Sequence, residues 1–366
     1  MRVECMQENL KRALSATARA VAPRATLPVL GSILFQTQKG RLRIAATDLE
    51  IGVEFFIGAK IEVEGQLALP ARLTNDIVLA LEGTTVTISG EQNEAHIVAG
   101  NMQTKIRGLD PNEFPLIPEM KDGKKFVITA SELGSIAENV AYAAAADQTR
   151  PILTGIYLTV SKTQGIAAAT DSYRLAEQTF SLKDGLKETV SCIIPTRALL
   201  EAARILIAGE VAITLGEHQI VFEGEEARLV SRLIDGEFPN YTEIIPTQQT
   251  LSATFKAADA AHALRIATLF AKDSANTVVL KVSAPDQFSI HATSAQTGET
   301  TAMVNAHVEG EPLEISFNVK YLTDMIALQK GEVTLLLKSA TDPGVLKSST
   351  NPMLRYLVMP LKTGTG

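Results

Sequence analysis

The stretch IAAATDSYRL, residues 166–175, sets two hydroxyls, a carboxylate, a phenol and a guanidinium side by side as Thr170, Asp171, Ser172, Tyr173 and Arg174. Upstream, RIAATDLEI carries the same Ala-Thr-Asp and adds Glu50 two residues beyond Asp48. A D-x-E pair is what a metal-dependent phosphoesterase would use, because two carboxylates can hold a divalent ion that activates water. The competing reading is a turn after a strand, in which the Asp carboxylate accepts from free backbone N–H groups. Repetition favours the turn. Asp171 has no acidic residue two positions on, and a third echo, SIHATSAQT, has Ser294 where Asp would stand. Thr47, Thr170 and Thr293 fall at intervals of 123 residues, and a catalytic carboxylate has no need to recur in different company.

Other enzymatic signatures are missing. The sequence has no P-loop, no G-x-G-x-x-G helix start, no H-E-x-x-H pair and no G-x-S-x-G elbow. His96, His218, His262, His291 and His307 are scattered without ligand spacing, and Cys5 and Cys192 each sit in an apolar, strand-like run. Two distant cysteines of that kind read as small buried side chains rather than a disulfide or a metal pair. The expectation is no cofactor, no metal and no catalysis. With 46% hydrophobic and 20% charged residues in 366, the chain has material for two or three globular domains. Its start, MRVECMQENL, lacks the apolar region of a secretion signal, and no apolar run approaches membrane-spanning length. A cytoplasmic location without membrane contact is the expectation. The net charge of −7 argues against a uniformly basic nucleic-acid binder, although it says nothing of how charge is distributed.

What would position these turns is a repeated unit. Apolar residues keep helical period in six stretches, 6–21, 70–82, 130–146, 195–207, 256–273 and 319–330. Each follows a short strand-like piece: MRVEC, GQLAL, KFVIT, VSCII, LSATF and LEISF. Thr129 with Glu132 fits a capping box, and Thr196 and Asn318 are candidate N-caps. Alternating, β-branched segments such as TTVTISG, EVAITLG and EVTLLLKS come after the helices. Strand, helix, then several strands make a half-unit, and six copies make an α+β chain of three repeats. Turn-rich segments with Phe114-Pro115 and Phe238-Pro239 close the first two, so the domains are expected at 1–121, 122–246 and 247–366.

Taken together, TLPVLGSILFQ, RLRIAATDLEIGVE, RPILTGIYLTV, IRGLDPNEFPLIP, LIDGEFPNYTEIIP, SFNVKYLTDMI and the terminal YLVMPLK resemble the bacterial sliding clamp family, the beta subunit of DNA polymerase III. The resemblance runs from Met1 to about Lys362. It implies a non-catalytic processivity subunit of a DNA-directed DNA polymerase, a nucleotidyltransferase holoenzyme. Two protomers would form a head-to-tail homodimer ring, with helices lining the hole and sheets outside. Duplex DNA would be encircled and held by topology, so weak sequence-independent attraction to phosphates suffices. The six helical stretches hold 11 Lys+Arg and 9 Asp+Glu, leaving 23 and 32 in the rest. That segregation has the expected sign. The DNA-facing cations implied on helices are Lys11, Arg12, Arg19, Arg72, Arg197, Arg204, Arg265 and Lys272. Arg24 in APRATLP, with Gln148 and Arg150 in ADQTR, match loop positions that touch DNA in the family.

The resemblance also implies a cleft in which the replicative polymerase, the clamp loader and other clamp-motif proteins dock a short apolar peptide. Its matching residues are Leu153, Thr170, Ser172, Tyr173, Arg174 and Leu175, then Pro239, Ile244, Asn318 and Tyr321. Val358, Met359, Pro360 and Leu361 complete it. Many members have His-Arg where Tyr173-Arg174 stands and Gly at Ser172, and Ala275 takes the place of a bulky gating residue, so partner preference would shift. The dimer contact implied joins Thr104 and Ile106 to Leu269 and Phe270. Two rivals stand beside this reading: a metal-dependent phosphoesterase using Asp48 and Glu50, and a peptide-binding scaffold that does not bind DNA.

Overall fold

A computed structural model describes residues 1–22, 27–91, 93–120, 122–182 and 185–361. Arg24 and the TGTG tail lie outside them. Among the described residues there are six α-helices: α1 Gln7–Thr17, α2 Ala71–Ala80, α3 Ala130–Val140, α4 Thr196–Ile205, α5 Ala257–Ala271 and α6 Val319–Ile326. Each follows a strand directly, at the places set by the apolar period. One face of each is buried, for instance Leu10, Ala13 and Leu14 in α1, and Val319, Leu322 and Met325 in α6.

The ends follow local chemistry. Thr129 and Glu132 form the capping box at α3: Glu132 N donates to Thr129 Oγ1 at 3.1 Å, and Thr129 N donates to Glu132 Oε2 at 2.8 Å. Asn318 caps α6 by accepting from Lys320 N at 3.0 Å. Thr196 behaves differently from its expected capping role. Its hydroxyl donates to the Thr154 carbonyl at 2.7 Å and ties the helix start to another segment. α1 and α3 also stop sooner than their periodicity, tightening into 3-10 turns at Ala18–Ala20 and Ala141–Ala143. No helix among the described residues is long and apolar enough to cross a membrane.

The chain folds as two compact units. The first takes Met1–Gly134, Lys183–Leu186 and Arg197–Leu233, and the second takes Ser135–Leu182, Lys187–Thr196 and Ile234–Gly366. The first holds a twelve-stranded sheet and the second a nine-stranded and a four-stranded sheet, with antiparallel pairing in each. In the first unit the long strand Ile51–Val63 pairs with Arg41–Thr47 and Arg2–Met6, and its opening residues also pair with Ala227–Arg232. In the second unit Arg174–Ser181 pairs with Gln164–Thr170 on one edge and Leu354–Val358 on the other. Ile51 and Arg174 are 123 residues apart. The strand that leaves the Ala-Thr-Asp turn therefore pairs, both times, with a strand from the following repeat.

Candidate functional site

The repeated turn is built the same way each time. Asp48 Oδ1 accepts from Glu50 N and Ile51 N at 3.0 and 2.8 Å, and Asp171 Oδ1 accepts from Tyr173 N and Arg174 N at 2.9 and 3.0 Å. In the third copy Ser294 Oγ accepts from Gln296 N and Thr297 N, both at 3.2 Å. The short polar side chain thus satisfies the two N–H groups that the bend frees. The preceding threonines share the work: Thr47 Oγ1 donates to the Ile51 carbonyl and Thr170 Oγ1 to that of Arg174. Leu49 and Ser172 take the left-handed backbone conformation, at φ 75° and 78°. Arg197 binds the remaining oxygen of Asp48. That carboxylate is occupied by donors, as a turn former's should be.

In the second unit the turn carries a further layer. The Arg174 side chain is 8% exposed and donates from Nε to Asp171 Oδ2 at 3.0 Å and from Nη1 to Asp324 Oδ2 at 2.5 Å. Its guanidinium lies 4.7 Å from the Tyr321 ring centroid and 5.7 Å from that of Tyr142. Tyr142 also touches Tyr356, whose hydroxyl donates to the Tyr321 carbonyl at 2.9 Å. Burial raises the phenols of Tyr142 and Tyr356, so both stay neutral around the cation. Outside this core, Tyr173 is 57% exposed and stacks on Tyr321 at 6.5 Å. Met359 N donates to the Tyr173 carbonyl and Leu361 N to that of Ser316, each at 2.8 Å, which lays the C-terminal VMPL run along the turn.

The implied cleft residues sort by burial. Leu153, Thr170, Arg174, Leu175 and Val358 are buried, while Asn318, Tyr321, Met359, Pro360 and Leu361 are half-buried. Ser172, Tyr173, Pro239 and Ile244 are exposed. Leu175 belongs to a core cluster with Ala168, Tyr241, Val345 and Leu357 and is 1% exposed. Accessible apolar surface comes instead from Tyr173, Ile244 and the edges of Met359 to Leu361. Asp324, Tyr142 and Tyr356 were not anticipated. Asp324 had a signal, since it stands three residues after Tyr321 on one helix and so shares its face. The tyrosines come from distant segments with no common spacing.

Three family models for the DNA polymerase III beta subunit match in order: the N-terminal domain at residues 1–118, the central domain at 127–240 and the C-terminal domain at 242–362. The beta sliding clamp of Staphylococcus aureus strain Mu50 is 30% identical over 363 residues, covering 96% of each chain. The chain belongs to the DNA polymerase III beta subunit family. Solved clamps agree. The DNA polymerase sliding clamp of Bacillus subtilis superposes with a TM-score of 0.93 at 27% identity, over 99% of each chain. The sliding clamp of Pseudomonas aeruginosa, solved bound to griselimycin, superposes with a TM-score of 0.94 at 27% identity, over 99% of this chain and 100% of that one. As a clamp-family subunit it is not catalytic, and the phosphoesterase reading of Asp48 and Glu50 falls away.

In this clamp-family chain the implied DNA cations differ in what they touch. Arg12 pairs with Glu226 at 2.6 Å, and Arg19 and Arg204 share Glu201 at 3.7 and 2.8 Å. Arg197 binds Asp48 and donates to the Arg19 carbonyl. Arg72 reaches Asp76 at 4.0 Å. Among the described residues Lys11, Arg265 and Lys272 have no carboxylate partner, and Arg265 and Lys272 are exposed. On the loop, Gln148 is exposed and Arg150 Nη1 donates to Ser172 Oγ at 2.9 Å. The implied dimer residues differ in setting, and Ile106 is only 2% exposed. Thr104 and Ile106 are on Met102–Arg107, the end strand of the twelve-stranded sheet, and Leu269 and Phe270 close α5, with Leu269 66% exposed.

Proposed function

We propose that two copies of this chain close head to tail around duplex DNA and tether the replicative polymerase and other partners to it, conferring processivity. One observation carries the reading. Twice within the chain, the strand leaving the repeated turn pairs with the last strand of the following repeat, and one edge of each kind is left over. These are Gly298–Met303, at the end of the four-stranded sheet, and Met102–Arg107. Met303 and Met102, on those edges, are exposed. A second copy supplies the missing strand on each, in a heterologous contact that closes after two subunits. Thr104 and Ile106 of one protomer and Leu269 and Phe270 of its partner belong to this contact.

On this reading the three repeats at 1–121, 122–246 and 247–366 are the domains. The family matches to three successive domains support it. Helical cations, with Gln148 and Arg150, attract phosphates without reading bases. The face formed by Tyr173, Tyr321, Asn318, Pro239, Ile244 and Met359 to Leu361 receives an extended apolar peptide of the polymerase or clamp loader. The site of action is the cytoplasm. The test joins a mass measurement to DNA retention: two chains per particle, held on closed circular duplex and lost when the circle is cut. Retention on linear DNA equal to that on circles would sink the encircling model.

A further inference from the structure

The two seams between repeats share a cross-strand ion pair. In the first unit Glu54 stands opposite Arg228, whose Nη1 reaches Glu54 Oε2 at 2.8 Å, and Arg43 holds the other oxygen at 2.7 Å. In the second unit Glu177 stands opposite Arg355, at 3.5 Å. Position is fixed by the strand on the other side: Ala45 faces Glu54, Ala168 faces Glu177, and in the third repeat His291 faces Thr301. Thr301 therefore holds the place of the glutamate. The arginine's place follows from the hairpin turn. Met102 pairs with Ala99 across two residues, as Ala227 does with Gly224, so Gln103 corresponds to Arg228.

We infer that the contact between copies repeats the register of the internal seams, with Thr301 opposite Gln103, Thr300 opposite Thr104 and Glu299 opposite Lys105, and that it lacks the Glu–Arg pair carried by both internal seams. This rests on the reading of the two free edges as the contact between copies. The replacement pair is a weak one. Lys105 is committed to Glu94 of its own chain at 2.5 Å, and both Lys105 and Glu299 are solvent-facing, where an ion pair contributes little and is screened by salt. The seam between copies is thereby the separable one, and its register is specified by the apolar and hydroxyl pairs on the inner face. Helix α2 agrees with the second copy as occupant. Arg72 stands where Arg197 does in the second repeat, yet is almost wholly exposed, and Leu73 and Leu79 beside it are exposed too.

Two changes to the full chain test this. Thr104→Cys with Thr300→Cys should oxidise to a covalent two-chain species, because directly opposed strand residues meet disulfide spacing. Thr104→Cys with Ala302→Cys, two residues out of register, should not. Separately, Gln103→Arg with Thr301→Glu installs the missing pair and should tighten the dimer about fivefold by sedimentation, more than the two single changes together. Cross-linking of the out-of-register pair alone, or a double variant no tighter than its parents, overturns the inference while keeping the edge contact. No cross-link in either pair, with single-chain mass, overturns the edge contact itself.

Discussion

Arg174 and Asp324, 150 residues apart, meet at 2.5 Å inside the second unit, and the same guanidinium holds Asp171 at 3.0 Å. A charge so buried and so fully committed positions its neighbours and does not reach for a ligand. It fixes the turn that displays Tyr173 and supports the face of Tyr321. Replacing it by alanine leaves Asp324 without its cation and Asp171 with its backbone donors alone, in a mostly buried site, at a cost of about 3–5 kcal/mol. The melting transition of Arg174→Ala should fall by about 6–15 °C, and Arg174→Lys should recover part of the loss. Calorimetry on the three proteins decides it; unchanged melting in the alanine variant would mean the network is not structural.

Tyr173 offers a cleaner probe of the docking face than Leu175. Leu175→Asp would place a charge in a packed cluster and unfold the unit before it reported on binding. Tyr173 is exposed and stacks on one ring. Tyr173→Ala should leave melting within about 1 kcal/mol and weaken a polymerase-derived peptide about tenfold or more, read by fluorescence anisotropy. Full affinity in this variant would put the peptide elsewhere.

Much of this architecture was legible because periodicity and turn chemistry are local. The six helices, the Thr129–Glu132 capping box and the turn role of Asp48 and Asp171 all follow from residues within a few positions of one another. The Arg174–Asp324 pair does not, since it depends on which strand of the third repeat lies beside Arg174–Ser181. Burial was the other blind spot. Leu175 and Tyr173 are two residues apart and alike in apolar bulk, yet one is core and the other surface. Strand alternation predicts the same face for both, but the strand begins only at Arg174, and Tyr173 still belongs to the turn, its N–H held by Asp171.

The helical cations should not contribute equally to DNA attraction. Arg12, Arg19 and Arg204 already have carboxylates, while Lys11, Arg265 and Lys272 have none among the described residues. Neutralising Arg265 and Lys272 together should lower the salt slope of DNA association by about two, one per phosphate contact. Arg19→Gln with Arg204→Gln should lower it by less. Titrations across salt concentration separate the outcomes, and equal slopes in both double variants would show that pairing does not screen these cations.

The thiols give a pH signature. Burial pushes Cys5 and Cys192 up to about 12 each. The unfolded thiols ionise near 8.5, so their contribution to stability is complete below that pH and is lost as pH rises through about 12. At pH 8 Cys5 of the native chain should react with a thiol reagent about a thousandfold more slowly than in the unfolded chain, and the part-buried Cys192 should be the faster of the two. Rapid labelling of Cys5 in the native chain would contradict its burial.

The two internal seams should differ in how much they depend on their glutamate. Glu54 is gripped by Arg43 and Arg228, both largely buried, whereas Arg355 meets Glu177 at 3.5 Å with its own side chain 42% exposed. Removing Glu54 leaves two largely buried cations without a carboxylate, held only by Gln36 and the Pro118 carbonyl, so Glu54→Ala should cost about 3–5 kcal/mol. Glu177→Ala frees a guanidinium that can turn to solvent, so about 1 kcal/mol is expected. Urea unfolding of each variant, followed by a probe in the unit concerned, measures the contrast. Comparable losses at both seams would mean that strand pairing, and not the ion pair, sets their strength.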